Sequence, residues 1–186
     1  MTNYQITPPV LLPVTLEKAK QALRVDADDT SMDVEITGFI VGETQELENT
    51  IGQGVMPQTW RAQAASFAAL KLPHPVTSII AITYLDQAGV SQALDADQVR
   101  IIKTRYTSML VAAAGVTLPT TDGSADAVTI DVGIGMAATQ DAVPPAIVLY
   151  LTQRLKQQFD PAARLEKDTV QANYTETLLD QFKVQL

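Results

Sequence analysis

From Val76 to Leu85 the chain reads VTSIIAITYL, and this density of β-branched and aromatic residues predicts a strand. Pro73 and Pro75 just ahead of it fix their own φ near about −65° and push Leu72 and His74 towards extended backbone. Asp86-Gln87-Ala88-Gly89 then has the residue order of a type I turn, and Val90 to Leu94 reads as the returning strand. Taken as a regular strand, one face carries Val76, Ser78, Ile80, Ile82 and Tyr84. The other carries Thr77, Ile79, Ala81, Thr83 and Leu85. Both faces are largely apolar, whereas a half-solvated hairpin alternates more cleanly. Two placements stay open: a central strand, or a strand with one face, at Ile79 or Ile80, against a partner chain.

On either side of this segment the period lengthens to that of a helix. Residues 1–13 form an extended arm interrupted by Pro8, Pro9 and Pro13. Thr15 is placed to cap a short helix running to about Leu23, with Leu16, Ala19, Ala22 and Leu23 on one side. Thr30 or Ser31 is expected to cap a longer helix with apolar positions at Met32, Ile36, Phe39 or Ile40, Leu47 and Ile51, with Gly52 and Gly54 as C-terminal stops. Further strands are expected to begin at Gln58 and to span Val99–Lys103 and Ala127–Val132. Thr107–Leu118 is ambiguous, because its alanines favour helix while Val111, Gly115 and Val116 favour strand or loop. Pro144-Pro145 opens another helix, with Ile147, Leu151, Leu155 and Phe159 four apart. The last segment carries one narrow stripe, Val170, Tyr174, Leu178 and Phe182. Such a stripe has three fates: packing on its own domain, docking on another chain, or fraying. The expected fold class is therefore α+β, with an N-terminal helix pair and a C-terminal core helix around a central antiparallel hairpin or sheet. The linear organisation reads as an arm (1–13), a main domain (14–160) and a tail or docking helix (161–186).

With 186 residues, 46% of them hydrophobic, the chain is long enough to build a core. It has no cysteine, so neither a disulfide framework nor a thiolate metal site is available. The opening residues lack the basic stretch of a secretory signal, and no apolar run approaches the roughly 20 residues of a membrane span, so no membrane partner is expected. Charge is unevenly placed. Between Val25 and Trp60 stand Asp26, Asp28, Asp29, Asp33, Glu35, Glu43, Glu46 and Glu48, with no Lys or Arg among them, and this window accounts for the whole net charge of −8. The plain reading is a solvated helix face. The sharper one is a surface that repels a passing polyanion, since a nucleic-acid binder carries the opposite sign.

Signs of catalysis are weak throughout. His74 is the one histidine and sits between two prolines, so it reads as a turn residue without a metal cluster or catalytic partner. Gly133-Ile134-Gly135-Met136-Ala137-Ala138 spells a dinucleotide-loop pattern, but no βαβ unit surrounds it and Pro144-Pro145 follows closely. Asp28-Asp29 precedes a helix, where carboxylates serve as caps. No enzyme, catalytic residue, metal or cofactor is expected.

Several motifs nevertheless fall in a telling order. Thr15-Leu-Glu-Lys-Ala-Lys-x-x-Leu-Arg-Val-Asp26 precedes the long helix, and Gln58-Thr59-Trp60 follows it. Next comes Leu72-Pro73-x-Pro75-Val76-x-Ser78-Ile79-x-x-Ile82-x-Tyr84-x-Asp86-x-x-Gly89. Ala127-Val128-Thr129-Ile130 then runs into Gly133-x-Gly135, and Val143-Pro144-x-Ala146-Ile147 opens the last core helix. Over about Val14 to Phe159 this order resembles the head–tail connector, or adaptor, family of tailed double-stranded DNA phages. The resemblance favours strand and turn for Thr107–Leu118. It implies a structural virion protein of the neck, made in the host cytoplasm, that forms a homo-oligomeric ring, commonly of twelve copies. Such a ring would sit between a portal protein and a tail protein, terminator or stopper, with DNA passing through without specific binding. It would assign Val170, Tyr174, Leu178, Phe182, Ile79 and Ile80 to contacts with the portal or a neighbouring subunit, and Asp33, Glu35, Glu43, Glu46 and Glu48 to the channel. A tail-completion, tail-terminator or baseplate subunit is the alternative, and a small enzyme a distant one.

Overall fold

The β-branched segments segregate into two antiparallel sheets in a computed structural model that describes residues 1–68, 70–159 and 177–184. Strands β1 (Thr2–Thr7), β2 (Gln58–Ala64), β3 (Leu70–Leu72), β4 (Val76–Leu85), β5 (Ser91–Ala93), β6 (Val99–Lys103), β7 (Ser108–Ala112) and β8 (Val128–Ile134) arrange as β1-β2-β8-β4-β5 and β3-β7-β6. Helices α1 (Leu16–Leu23), α2 (Asp33–Ile51) and α3 (Pro145–Phe159) complete an α+β fold. The chain divides into two compact units that interleave in sequence. The first is Met1–Val10 with Pro57–Met136; the second is Leu11–Met56 with the chain from Ala137 onwards.

In the first unit the even-numbered residues of β2 and β8 point into one core. Ala62, Ala64, Val128, Ile130, Val132 and Ile134 are buried there with Leu70 and Leu110 of the smaller sheet. Period-two alternation makes this possible: β8 reads buried, half-buried, buried along its whole length. Strand β4 departs from alternation. Two bulges, between Val76 and Ser78 and between Ile79 and Ala81, shift its register on β8. Val76 and Ile82 are buried and Ile79 packs partly into the core, while Ile80 stays 57% exposed. The regular faces expected from sequence, with Ile80 beside Val76 and Ile82, are corrected accordingly. The Asp86–Gly89 turn forms as expected. Gly89 N–H donates to the Asp86 carbonyl at 2.8 Å, and the Asp86 carboxylate accepts from the N–H groups of Ala88 and Val90.

The second unit is helical. Ile36, Ile40, Leu47 and Ile51 of α2 are buried with Ala19 of α1 and with Ile147, Leu151 and Leu155 of α3. Phe39 and Phe159 meet edge to face at 5.0 Å. Thr15 caps α1, its Oγ1 accepting from Lys18 N–H. The expected cap on α2 is not made. Met32 holds that position without a side-chain bond, and Asp29 instead accepts from Ser31 N–H at 2.9 Å. The Asp33 N–H, a donor that a Thr30 or Ser31 side chain would cap, goes instead to the Thr30 carbonyl at 3.3 Å.

Candidate interaction surfaces

The acidic helix is less of a single surface than its composition suggests. Glu43 lies three residues after Ile40 and four before Leu47, which places it on the buried stripe of α2. Its carboxylate, 8% exposed, accepts from Arg154 Nε of α3 at 2.8 Å. The same guanidinium lies 3.4 Å from Glu46, whose side chain is 62% exposed. Asp33 pairs with Lys20 Nζ at 2.6 Å, and that buried ammonium also donates to the Ala27 carbonyl. Glu48 accepts from Val55 N–H at 2.7 Å, holding the turn after α2. Asp33, Glu43 and Glu48 thus work inside their own unit, while Glu35 and Glu46 are exposed. The cations come from outside the acidic window, so counting charges along the sequence could not pair them. The periodicity did carry the signal, since Lys20 and Glu43 both fall at apolar-face positions.

Of the C-terminal stripe, Val170 and Tyr174 lie outside the described residues. Leu178 and Phe182 are half-buried, and the neighbouring Leu179 is fully buried. The segment is tied to the end of α2. Gln53 donates its side-chain amide to the Phe182 carbonyl, and Val184 N–H donates to the Ile51 carbonyl at 2.8 Å. At the same place Gly52 takes a left-handed φ of 69°, and a Cβ there would stand 3.3 Å from Val184 Cβ.

In the first unit His74 is not an unpartnered turn residue. Its Nε2–H donates to the Arg105 carbonyl, and its Nδ1 accepts from Ser108 O–H at 2.9 Å. Ser108 Oγ in turn accepts from Val76 N–H. Burial holds the imidazole below its usual pKa, opposed by the Arg105 carbonyl and helped by the Lys103 charge. The serine is wholly buried and its oxygen already engaged, so this pair locks the entrance of β4 rather than presenting a nucleophile. Gly133 of the dinucleotide-like spelling lies within β8. A Cβ there would meet Ser78 Oγ at 2.7 Å, so the glycine serves close strand approach.

Among the described residues no cluster of His, Cys, Asp or Glu is grouped to hold a metal ion, and no helix is long and apolar enough to cross a membrane. The candidate sites are surfaces, on an α+β scaffold of two interleaved units. No protein-family model matches the chain and no curated protein matches it. Solved structures do share its fold. A chain from the virion of a native gene transfer agent particle aligns with a TM-score of 0.78 at 17% identity, covering 100% of this chain and 97% of its own. A chain from the neck of an empty particle, computed with C6 symmetry, gives 0.76 at 16% identity with the same coverage. One from the neck of a native particle, computed with C12 symmetry, gives 0.70 at 19% with the same coverage.

Proposed function

We propose that this chain is a structural subunit of the neck of a tailed-phage-like particle. Copies form a ring, of twelve on the family pattern, between the portal and the tail, and DNA passes through it. The observation that carries this reading is the fold likeness along the whole chain to neck chains of a particle solved with sixfold and twelvefold symmetry. The motif order over about Val14 to Phe159 supports it independently. The net charge of −8 suits a conduit for DNA that must not adhere. Glu35 and Glu46 are the exposed candidates for the channel wall, and the half-buried Leu178 and Phe182 are candidates for contact with the portal. Ile79 and Ile80 are assigned to a neighbouring subunit.

Negative-stain microscopy of the purified chain mixed with its portal tests the reading. A closed ring beneath the portal is expected; a cap on isolated tails would instead make it a tail-completion subunit. In particles, Glu35→Lys with Glu46→Lys should slow DNA release, and unchanged ejection kinetics would remove those residues from the channel. Leu178→Ser should keep the helical circular dichroism and lose portal copurification. Normal copurification would count against that contact.

A further inference from the structure

The edges of the two sheets are built differently. The three-stranded sheet ends on β3, which carries Lys71, and on β6, which carries Arg100 and Lys103. Charged residues on an edge strand discourage pairing with another chain. The five-stranded sheet has no such protection. Its β1 edge, TNYQIT, is uncharged, and all six residues are exposed. At the far end, β5 pairs with β4 only over Thr83–Leu85. Among the described residues no strand pairs with that side of β4 from Thr77 to Ala81, TSIIA, which is also uncharged; the Val76 N–H just before it is already taken by Ser108 Oγ. Each edge has a bulge that leaves one isoleucine out of register and exposed: Ile6 between Gln5 and Thr7, and Ile80 between Ile79 and Ala81. Bulges commonly re-aim a side chain in this way.

Strand direction decides which pairing is possible. The β1–β2, β2–β8 and β8–β4 ladders are all antiparallel, so β4 runs opposite to β1. Copies related by rotation about an axis along the strands keep those directions. The β4 edge of one copy then meets the β1 edge of the next in antiparallel sense, end to end with β5. This contact is heterologous and repeats around a ring, whereas pairing β1 on β1 or β4 on β4 gives a closed twofold dimer.

We infer that in the assembled ring the Thr2–Thr7 edge of one copy pairs with the Thr77–Ala81 edge of the next, joining the five-stranded sheets into one continuous belt. The inference rests on the ring reading and specifies its seam. Backbone hydrogen bonds supply the contact, and Ile6 and Ile80 are apolar side chains that it covers. The cysteine-free chain permits a direct test. With Thr2 opposite Ala81, Asn3 faces Ile80, so the double variant Asn3→Cys, Ile80→Cys of the full chain is mildly oxidised and run on a non-reducing gel, with native mass spectrometry on the unoxidised protein. The expected result is a ladder extending beyond the dimer, no cross-link from either single variant alone, and a dimer when the two single variants are mixed. Disulfide dimers from one single variant alone would show twofold pairing and overturn the inference. Rings without a ladder would overturn the seam and leave the ring reading standing; neither rings nor ladder would overturn both. Ile80→Lys, at an exposed site, should lose the ring with unchanged circular dichroism, and rings of undiminished abundance would refute the seam independently.

Discussion

Replacing Arg154 by alanine should be the most damaging single change to surface-reachable charge in the helical unit. Its guanidinium, 31% exposed, meets the nearly buried Glu43 at 2.8 Å and the exposed Glu46 at 3.4 Å. Removing one member of a fully buried pair costs about 3–5 kcal/mol, because the remaining charge is stranded. Partial exposure of Arg154 lets water relieve some of that, so about 2–3 kcal/mol is expected here, screened as partly exposed pairs are. At about 2–4 °C per kcal/mol for a chain of this size, the melting temperature should fall by roughly 5–10 °C. Thermal denaturation followed by helical circular dichroism measures it. Glu46→Gln, at an exposed position, should cost under about 1 kcal/mol. The double variant Arg154→Met, Glu43→Gln should recover most of the loss, since no charge is then left in the interior. An Arg154→Ala loss no larger than that of Glu46→Gln, or no recovery in the double variant, would refute the burial argument.

Three other outcomes follow from named geometry. His74 is held below its ordinary value of 6.5 chiefly by burial, so the unfolded chain takes up a proton before the folded one does. Stability should be complete above about pH 6.5 and fall as pH drops from there through the depressed folded pKa. His74→Gln should flatten that part of a urea-denaturation pH series, and an unchanged slope would exclude His74 as its source. Gly52→Ala should destabilise by about 1–2 kcal/mol, from a left-handed φ of 69° and crowding of Val184, with faster proteolysis of the C-terminal segment. Among the described residues Arg24, at φ 58°, is the non-glycine one with positive φ, so Arg24→Gly should raise stability by up to about 1 kcal/mol in the same melt.

The helices were legible because each is long enough for its period to show, and Thr15 and Gly52 cap as their chemistry requires. The Asp86–Gly89 turn and the strands of β6 and β8 were legible for similar local reasons. Strand β3 was not, since three residues between an alanine-rich stretch and Pro73 carry no readable period. The internal use of Glu43 was half legible: its spacing placed it on the apolar stripe, but Arg154 is 111 residues away. Val170 and Tyr174 lie outside the described residues, so the C-terminal stripe remains a proposal.

By itself the sequence determined the α+β class, the order of the helices and longer strands and the concentration of charge in one window, because propensity, period and capping act within a few residues. Tertiary structure alone decided how residues 1–10 join a sheet more than fifty positions away, and which isoleucine of β4 faces outward. It also decided which acids are already neutralised. Strand pairing, bulges and ion pairs are settled between distant segments, where backbone hydrogen bonds and buried charges must find partners wherever the chain brings them.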